Sequence, residues 1–137
     1  MKKLEVFGAT KLKGQIRISG SKNASLPILA STLLSDKIIS LTNIPRVKDV
    51  ETMIKLLESM GSKVKVLKNK NSVIIQNNKK IKTEASYNLM STMRAGIIVL
   101  GPLLARFGKA RVSSPGGCSI GFRPIDIHLE SLKKMGV

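Results

Sequence analysis

The chain of 137 residues has a net charge of +16, from 24 basic and 8 acidic residues. Its length suits about one domain, and with only 3% aromatic residues its core must consist of Leu, Ile, Val and Met side chains. A single cysteine excludes an internal disulfide and indicates a reducing, cytoplasmic compartment. The charge favours anionic partners: nucleic acid, an acidic membrane surface or phosphorylated metabolites.

No targeting or membrane segment is expected from the sequence. The first ten residues, MKKLEVFGAT, are basic but are not followed by an apolar run, so we expect no signal peptide. The longest apolar run, from Ala95 to Ala105, lies between Arg94 and Arg106. It is much shorter than the roughly 20 residues of a membrane helix. We therefore predict a buried core helix there and no membrane partner.

The first half of the chain predicts two strands, two helices and a hairpin. Ile16 and Ile18 alternate with polar residues, as in a strand. A helix is then expected near Ala24, with Pro27 in its first turn, where proline is tolerated. KIISLTNIP predicts the second strand. The apolar face of the first helix would contain Leu26, Leu29, Ala30, Leu33 and Leu34.

The second predicted helix, DVETMIKLLESMG, has Asp49 as a plausible N-cap and Gly61 just past its end. KVKVLKNKNSVIIQNN predicts a hairpin that turns at 68–71. Seven lysines and no acid lie between Lys63 and Lys82. Because lysines alternate with valines here, we interpret this region as the solvated side of a sheet.

Two pairs of segments indicate an internal repeat. Residues 24–45 resemble residues 95–116 at an offset of 71, and MIKLLESMG at 53–61 resembles HLESLKKMG at 128–136 at an offset of 75. Each copy would contain a helix, a strand, a loop and a second helix. The second copy ends before a hairpin, so the pattern predicts part of a larger repeated protein.

The candidate reactive group is Cys118, in the loop SSPGGCSIGFRP. Gly116 and Gly117 let the backbone turn its N–H groups toward one point. Arg123 lies five residues away, and a cation beside a thiol lowers its pKa. Cys118 is therefore a candidate nucleophile or general acid, although a small buried cysteine is the ordinary alternative.

Two helix starts are candidate anion sites. SGSKN places Lys22 at a helix N-terminus, where unpaired N–H groups and the helix dipole attract phosphate or carboxylate. An N-cap with a surface lysine is the alternative. Arg94 is the repeat equivalent of Asn23, so both copies have a polar residue at this place. In RPIDIH, Asp126 could cap the next helix, and His128 could be an ordinary helix residue.

Three motifs together resemble the UDP-N-acetylglucosamine 1-carboxyvinyltransferase family: ISGSKNASLPILASTLL, TMRAGIIVLGPLLARFG and PGGCSIGFRPIDIHLESLKKMG. The shikimate-pathway enolpyruvyl transferase shares the fold but lacks this cysteine loop. The resemblance implies an α/β fold, an inside-out α/β barrel of the enolpyruvyl transferase type built from repeated helix-strand units, here truncated. Residues 1–20 would be a strand region that packs with an absent second domain. Residues 21–137 would form an incomplete first domain of about one and a half repeats.

The same resemblance implies the function and the site. These enzymes transfer the enolpyruvyl group of phosphoenolpyruvate to the 3′-hydroxyl of UDP-N-acetylglucosamine, the first committed step of peptidoglycan synthesis. Lys22 and Cys118 would be catalytic, with the thiol as general acid and fosfomycin target. Phosphoenolpyruvate would contact Lys22, Asn23 and Arg123. UDP-N-acetylglucosamine would contact Asn23, Arg94, Arg123, Pro124, Ile125, Asp126 and Ile127. No metal or organic cofactor is implied.

Two other classes compete with this interpretation. A basic nucleic-acid-binding module fits the charge, but one tyrosine and three phenylalanines offer little base stacking, and no recognition motif is present. A thiol redox protein lacks a resolving cysteine. Since the family site lies between two domains, the chain alone is expected to bind substrates weakly and not turn over. A separate complementing chain with the second domain is a possible partner.

Overall fold

The computed structural model describes residues 3–8, 11–67, 70–113 and 124–137. Its strands are β1 Ile38–Leu41, β2 Lys63–Leu67 and β3 Ser72–Gln76. Its α-helices are α1 Lys22–Ser31, α2 Lys48–Met60, α3 Tyr87–Met90, α4 Leu100–Phe107 and α5 Asp126–Lys134. The 3-10 helix Thr32–Leu34 directly follows α1, and the 3-10 helix Arg94–Val99 directly precedes α4. None of the helices in these ranges has both the length and the apolar character that crossing a membrane requires.

The three strands form an antiparallel sheet in the order β1-β3-β2. Ile75 of the central strand is opposite Ile39 on one side and Val64 on the other. Ile75 is fully buried, so this row faces the helices. In the alternate row, Lys65 and Ser40 are exposed, and Ile74 of the central strand between them is half-buried. The predicted hairpin and its solvated lysine face are therefore confirmed for the described residues.

The core lies between the sheet and the helices and has the aliphatic composition expected from the sequence. Every buried hydrophobic side chain in the described ranges is Leu, Ile, Val, Met or Ala. Helix α1 packs against α2 and against the 3-10 helix Arg94–Val99. The fully buried larger side chains include Leu29, Leu33, Met53, Leu56, Leu57, Met60, Met90 and Leu103.

Helix α1 begins two residues earlier than predicted. Ser21 is its N-cap, and the Ser21 hydroxyl accepts a hydrogen bond from the Ala24 N–H at 3.4 Å. Pro27 is consequently the sixth residue of the helix rather than a first-turn residue. Because proline has no N–H, the carbonyl of Asn23 loses its intrahelical donor. The predicted apolar face is buried except at Leu34, which is 52% exposed.

For α2, the predicted N-cap Asp49 is wrong and the predicted C-terminal glycine, Gly61, is confirmed. Val47, in extended conformation, occupies the N-cap position without a side-chain hydrogen bond, and Asp49 lies inside the first turn. A carboxylate there still stabilises the helix through the dipole. Gly61 ends the helix with φ 107°, a left-handed conformation that favours glycine.

The second copy of the repeat reproduces the helices but not the strand. Helix α5 corresponds to α2, and Gly136 follows it with φ 90°, as Gly61 follows α2. The buried core helix predicted at 95–105 is a 3-10 helix continued by α4, with Gly96, Val99 and Leu103 buried. The expected strand after α4 is reduced to one parallel bridge between Glu84 and Arg111. In the first copy, by contrast, β1 pairs with β3 over four residues.

The strand predicted around Ile16 and Ile18 does not form. The described residues between 11 and 21 have no regular secondary structure, and these two side chains are 86% and 76% exposed. Alternation with period two marks a segment that can bury one face, but a strand also requires a backbone partner. None of the described strands pairs with this segment.

Candidate functional site

Lys22 and Asn23 are the first two residues of α1, and both are exposed. The first turn of an α-helix has N–H groups without intrahelical acceptors, and its dipole attracts anions. Ser21 satisfies the N–H of Ala24, and the Ser21 carbonyl accepts from the Ser25 N–H at 3.0 Å. The N-cap expected under the ordinary alternative is therefore present, and the lysine cation lies beside it.

The ammonium of Lys22 forms an ion pair with Asp49, which the sequence predicted only as the N-cap of the second helix. Its Nζ lies 2.9 Å from Oδ2 of Asp49 in the first turn of α2. The two side chains are 48% and 41% exposed, so the pair remains partly hydrated. The sequence has one signal for this contact, an acid in the first turn of the helix after β1. Because the partners are 27 positions apart in the chain, local patterns do not predict their pairing.

A close backbone contact fixes the entry to α1. A Cβ added to Gly20 would lie 1.8 Å from the carbonyl oxygen of Asn43 and 3.2 Å from the Pro45 ring. Only glycine therefore fits where residue 20 crosses the loop between β1 and α2. Asn43 itself has φ 56°, a left-handed conformation that asparagine tolerates better than most residues. This backbone contact and the ion pair both join the start of α1 to the region that leads into α2.

Arg94 is the first residue of the 3-10 helix that packs against α1. It is half-buried and takes part in an interaction. Its repeat equivalent, Asn23, is the second residue of α1. The proposed equivalence of the two polar positions therefore agrees with the helix starts of the two copies.

The segment Pro124–Ile127 leads into α5. Asp126 is the first residue of that helix, and Ile125 occupies the N-cap position, so the predicted capping role of Asp126 is not found. An apolar groove of about 550 Å³ separates α5 from the helices at 94–107. One wall contains Ile97, Ile98, Leu100 and Gly101, and the other contains Ile125, Ile127, His128, Ser131 and Leu132.

Cys118 and Arg123 lie outside the described residues, so the structure does not test their predicted roles. Within the described ranges, no group of three or more His, Cys, Asp or Glu residues is arranged to hold a metal ion. A second groove, of about 250 Å³ between α2 and the hairpin, has Val50, Ile54 and Val73 in its walls. None of the predicted site residues lines this second groove.

The arrangement suits an anion next to an apolar surface. Lys22 and the N-terminus of α1 provide positive charge and N–H donors for phosphate or carboxylate groups. The helix that begins with Arg94 contacts α1 and also forms one wall of the larger groove. The described site residues thus lie at or next to the starts of three helices. Helix α1 packs against the 3-10 helix Arg94–Val99, and that helix faces α5 across the larger groove.

Comparison with known proteins places the chain in a family. A family model described as EPSP synthase (3-phosphoshikimate 1-carboxyvinyltransferase) matches residues 6–137. A UDP-N-acetylglucosamine 1-carboxyvinyltransferase of Pelagibacter ubique is 72% identical over 137 residues, all of this chain and 32% of that protein. A protein of the same name from Sulfurovum sp. is 52% identical over 99% of the chain and 32% of its own length. The chain therefore spans about a third of these relatives.

The structural comparison agrees with the expected fold. The crystal structure of the enolpyruvyl transferase NikO from Streptomyces tendae superposes with a TM-score of 0.74 at 18% identity. That match covers 95% of this chain and 28% of the other. The fold expectation, a truncated α/β unit of the enolpyruvyl transferase type, is confirmed. Since the family model covers all but the first five residues, the chain belongs to the EPSP synthase (3-phosphoshikimate 1-carboxyvinyltransferase) family.

Proposed function

We propose that the protein transfers the enolpyruvyl group of phosphoenolpyruvate to the 3′-hydroxyl of UDP-N-acetylglucosamine, with release of phosphate. The observation that carries this proposal is the 72% identity, over the entire chain, to a protein named for that reaction. The sugar nucleotide is favoured over shikimate 3-phosphate as acceptor because the chain has the cysteine loop SSPGGCSIGFRP. The reaction would take place in the cytoplasm, in the synthesis of cell-wall precursors.

Lys22 is proposed to bind the phosphate of phosphoenolpyruvate, with Asn23 and Arg123 beside it. The position of Lys22 at the N-terminus of α1 supports this role, since N–H donors and a cation meet there. Phosphoenolpyruvate carries two anionic groups, so a single lysine cannot neutralise it. Arg123, which follows the cysteine loop, is the proposed second cation.

UDP-N-acetylglucosamine is proposed to contact Asn23, Arg94, Arg123 and the segment 124–127. The groove beside α5 supports this assignment, because Ile125 and Ile127 line it opposite the helix that Arg94 begins. Apolar walls suit the faces of a uracil ring, and Arg94 suits a diphosphate. Asp126 is proposed to accept a hydrogen bond from a ligand N–H or hydroxyl, and its exposure at the first position of α5 supports this role.

Cys118 is proposed as the general acid. Its thiol gives a proton to C3 of phosphoenolpyruvate, which makes C2 electrophilic, and the sugar oxygen then bonds to C2 as its own proton leaves. Loss of a C3 proton and of phosphate from C2 restores the double bond and gives the enolpyruvyl ether. A glycine-rich loop that closes over the substrate would exclude water during these steps. The epoxide antibiotic fosfomycin would alkylate the same thiol.

The chain alone is proposed to bind its substrates weakly and to lack turnover. It spans 32% of the length of the relatives it matches. In the proposed enzyme, a second domain, on the same polypeptide or a complementing chain, would contribute an acidic residue near the sugar hydroxyl and further arginines. Residues 1–20 are proposed to pack against that domain. Release of phosphate by the isolated chain, dependent on UDP-N-acetylglucosamine, would refute this part.

Alkylation of Cys118 tests the proposed site in the isolated chain. Because Cys118 is the only cysteine, intact mass spectrometry after iodoacetamide treatment reports on this thiol alone. Millimolar UDP-N-acetylglucosamine is expected to change the alkylation rate, and Arg94→Ala should suppress that change. Arg46→Ala, a substitution at an exposed arginine outside the proposed site, is the matched control and should preserve it. An alkylation rate that does not respond to the sugar nucleotide would contradict the proposal.

A further inference from the structure

We propose that Asp49 is a positioning residue that holds the ammonium of Lys22 at the phosphoenolpyruvate site. This inference rests on the proposed function for its substrate, but the ion pair itself is an independent feature of the fold. Oδ2 of Asp49 lies 2.9 Å from Nζ of Lys22 and joins the first turns of two helices. The two side chains are 48% and 41% exposed, so about half of each is shielded from solvent.

The helix dipoles explain why the lysine requires a partner. Lys22 is the first residue of α1, whose first turn contains no acid, so its charge lies at the positive end of that helix. That position is unfavourable for a cation and favourable for a bound anion. Asp49 lies in the first turn of α2, where a carboxylate is favoured. The ion pair with Asp49 therefore offsets the unfavourable interaction between the Lys22 charge and the dipole of α1.

The backbone holds the two partners in fixed relation. Gly20 lies against the Asn43 carbonyl, so the residue before the N-cap of α1 contacts the loop that leads into α2. Helices α1 and α2 also pack directly against each other in the core. The Asp49 carboxylate, held by the packed helix α2, consequently limits the movement of the flexible Lys22 side chain. An ammonium has three N–H donors, so one can bind Asp49 while two remain for a phosphate.

The competing expectation is repulsion. A carboxylate near an anion site would weaken phosphoenolpyruvate binding if it acted only through its charge, and its removal would then tighten binding. If Asp49 positions Lys22, its removal weakens phosphoenolpyruvate binding instead. A partly exposed ion pair of this kind changes an equilibrium by about 2- to 5-fold. The two explanations are therefore distinguished by the direction of the effect, whatever its size.

Trace acetylation of the full chain, followed by peptide mass spectrometry, tests the pair without requiring turnover. In the unsubstituted chain, Lys22 should react at least about twofold more slowly than exposed Lys48. Asp49→Asn should remove that difference. Glu51→Gln is the matched control, because Glu51 is an exposed acid in the same helical turn, and it should leave the difference in place. Equal Lys22 reactivity with and without Asp49→Asn would overturn the proposal.

The second arm measures the phosphoenolpyruvate concentration that half-protects Lys22 from acetylation. Asp49→Asn should raise this concentration about 2- to 5-fold, and Asp49→Glu, which keeps the charge, should restore most of the protection. A lower half-protecting concentration in Asp49→Asn would support repulsion and overturn positioning. If phosphoenolpyruvate fails to protect Lys22 even in the unsubstituted chain, the proposed function fails, while the acetylation rates still decide whether the ion pair exists.

Discussion

Single residues at the start of α1 show how a local sequence signal acquires its chemical meaning from distant parts of the chain. SGSKN predicts a helix start with a lysine, and the structure has one, capped by Ser21. The partner of that lysine, Asp49, had a plausible local role as an N-cap. In the structure Asp49 instead forms a tertiary ion pair with Lys22, and the local sequence pattern does not predict this pairing. Helix starts are therefore predictable here, but the pairing between them is not.

Gly20→Ala is expected to destabilise the fold by about 1–3 kcal/mol, because the new methyl group would overlap the Asn43 carbonyl oxygen. The clash involves backbone atoms, so no side-chain rotation can relieve it. Urea unfolding followed by circular dichroism measures the effect. Gly14→Ala is the control, since nothing lies within 4 Å of its added Cβ, and it should change the free energy of unfolding by less than about 0.5 kcal/mol. Equal effects at both glycines would contradict this account.

At the scale of elements, the amphipathic helices were predictable and the strands only partly so. Apolar spacing identifies α1 and α2, and their glycine and serine caps follow local rules. The sheet needed an additional condition. β1, β2 and β3 form because each has a partner, whereas none of the described strands pairs with the alternating segment around Ile16. Alternation records which face a strand can bury, and pairing depends on the rest of the fold.

Arg106 adds hydrogen bonds to the packing contact between the two copies of the repeat. From α4 it donates hydrogen bonds to the carbonyl oxygens of Leu33 at 2.7 Å and Ser35 at 3.1 Å, at the end of the 3-10 helix that follows α1. Its guanidinium carbon also lies 5.0 Å from the centre of the Phe107 ring. A cation is favourable at the C-terminal end of a helical segment. The first copy is thus capped by a residue of the second.

Arg106→Met should lower the free energy of unfolding by about 1.5–3 kcal/mol, since charged hydrogen bonds to two part-buried carbonyl groups are lost while the aliphatic stem is kept. Thermal or urea unfolding measures the loss. The matched substitution Arg111→Met removes an arginine that is 82% exposed and 3.9 Å from Glu84, and it should have little effect. A stable Arg106→Met variant would show that the two copies are joined by apolar packing alone.

At the scale of the whole molecule, the N-terminal segment leaves its apolar side chains largely outside the core. Its apolar side chains are between 76% and 94% exposed: Leu4, Val6, Phe7, Leu12, Ile16 and Ile18. An apolar surface of this kind usually belongs to an interface. This exposure supports the proposal that residues 1–20 pack against a further domain.

Self-association of the isolated chain is the expected consequence. Light scattering should give a mass that rises above 14.9 kDa as concentration increases. The triple substitution of Leu12, Ile16 and Ile18 by Ser should reduce the rise, because it removes apolar surface without touching the core. The control is the triple substitution of Lys11, Lys13 and Arg17 by Ser, which should not reduce the rise in mass with concentration. A constant monomeric mass at every concentration would contradict the prediction.

The central claim is that these residues belong to a transferase that joins phosphoenolpyruvate to UDP-N-acetylglucosamine. The most direct test is phosphate release by the natural polypeptide from cells, with each substrate alone and with both together. We expect phosphate release only when both substrates are present. It should be lost in the Cys118→Ser and Lys22→Ala variants but not in Lys48→Ala. Phosphate release that does not depend on UDP-N-acetylglucosamine, or that survives loss of Cys118 and Lys22, would contradict the claim.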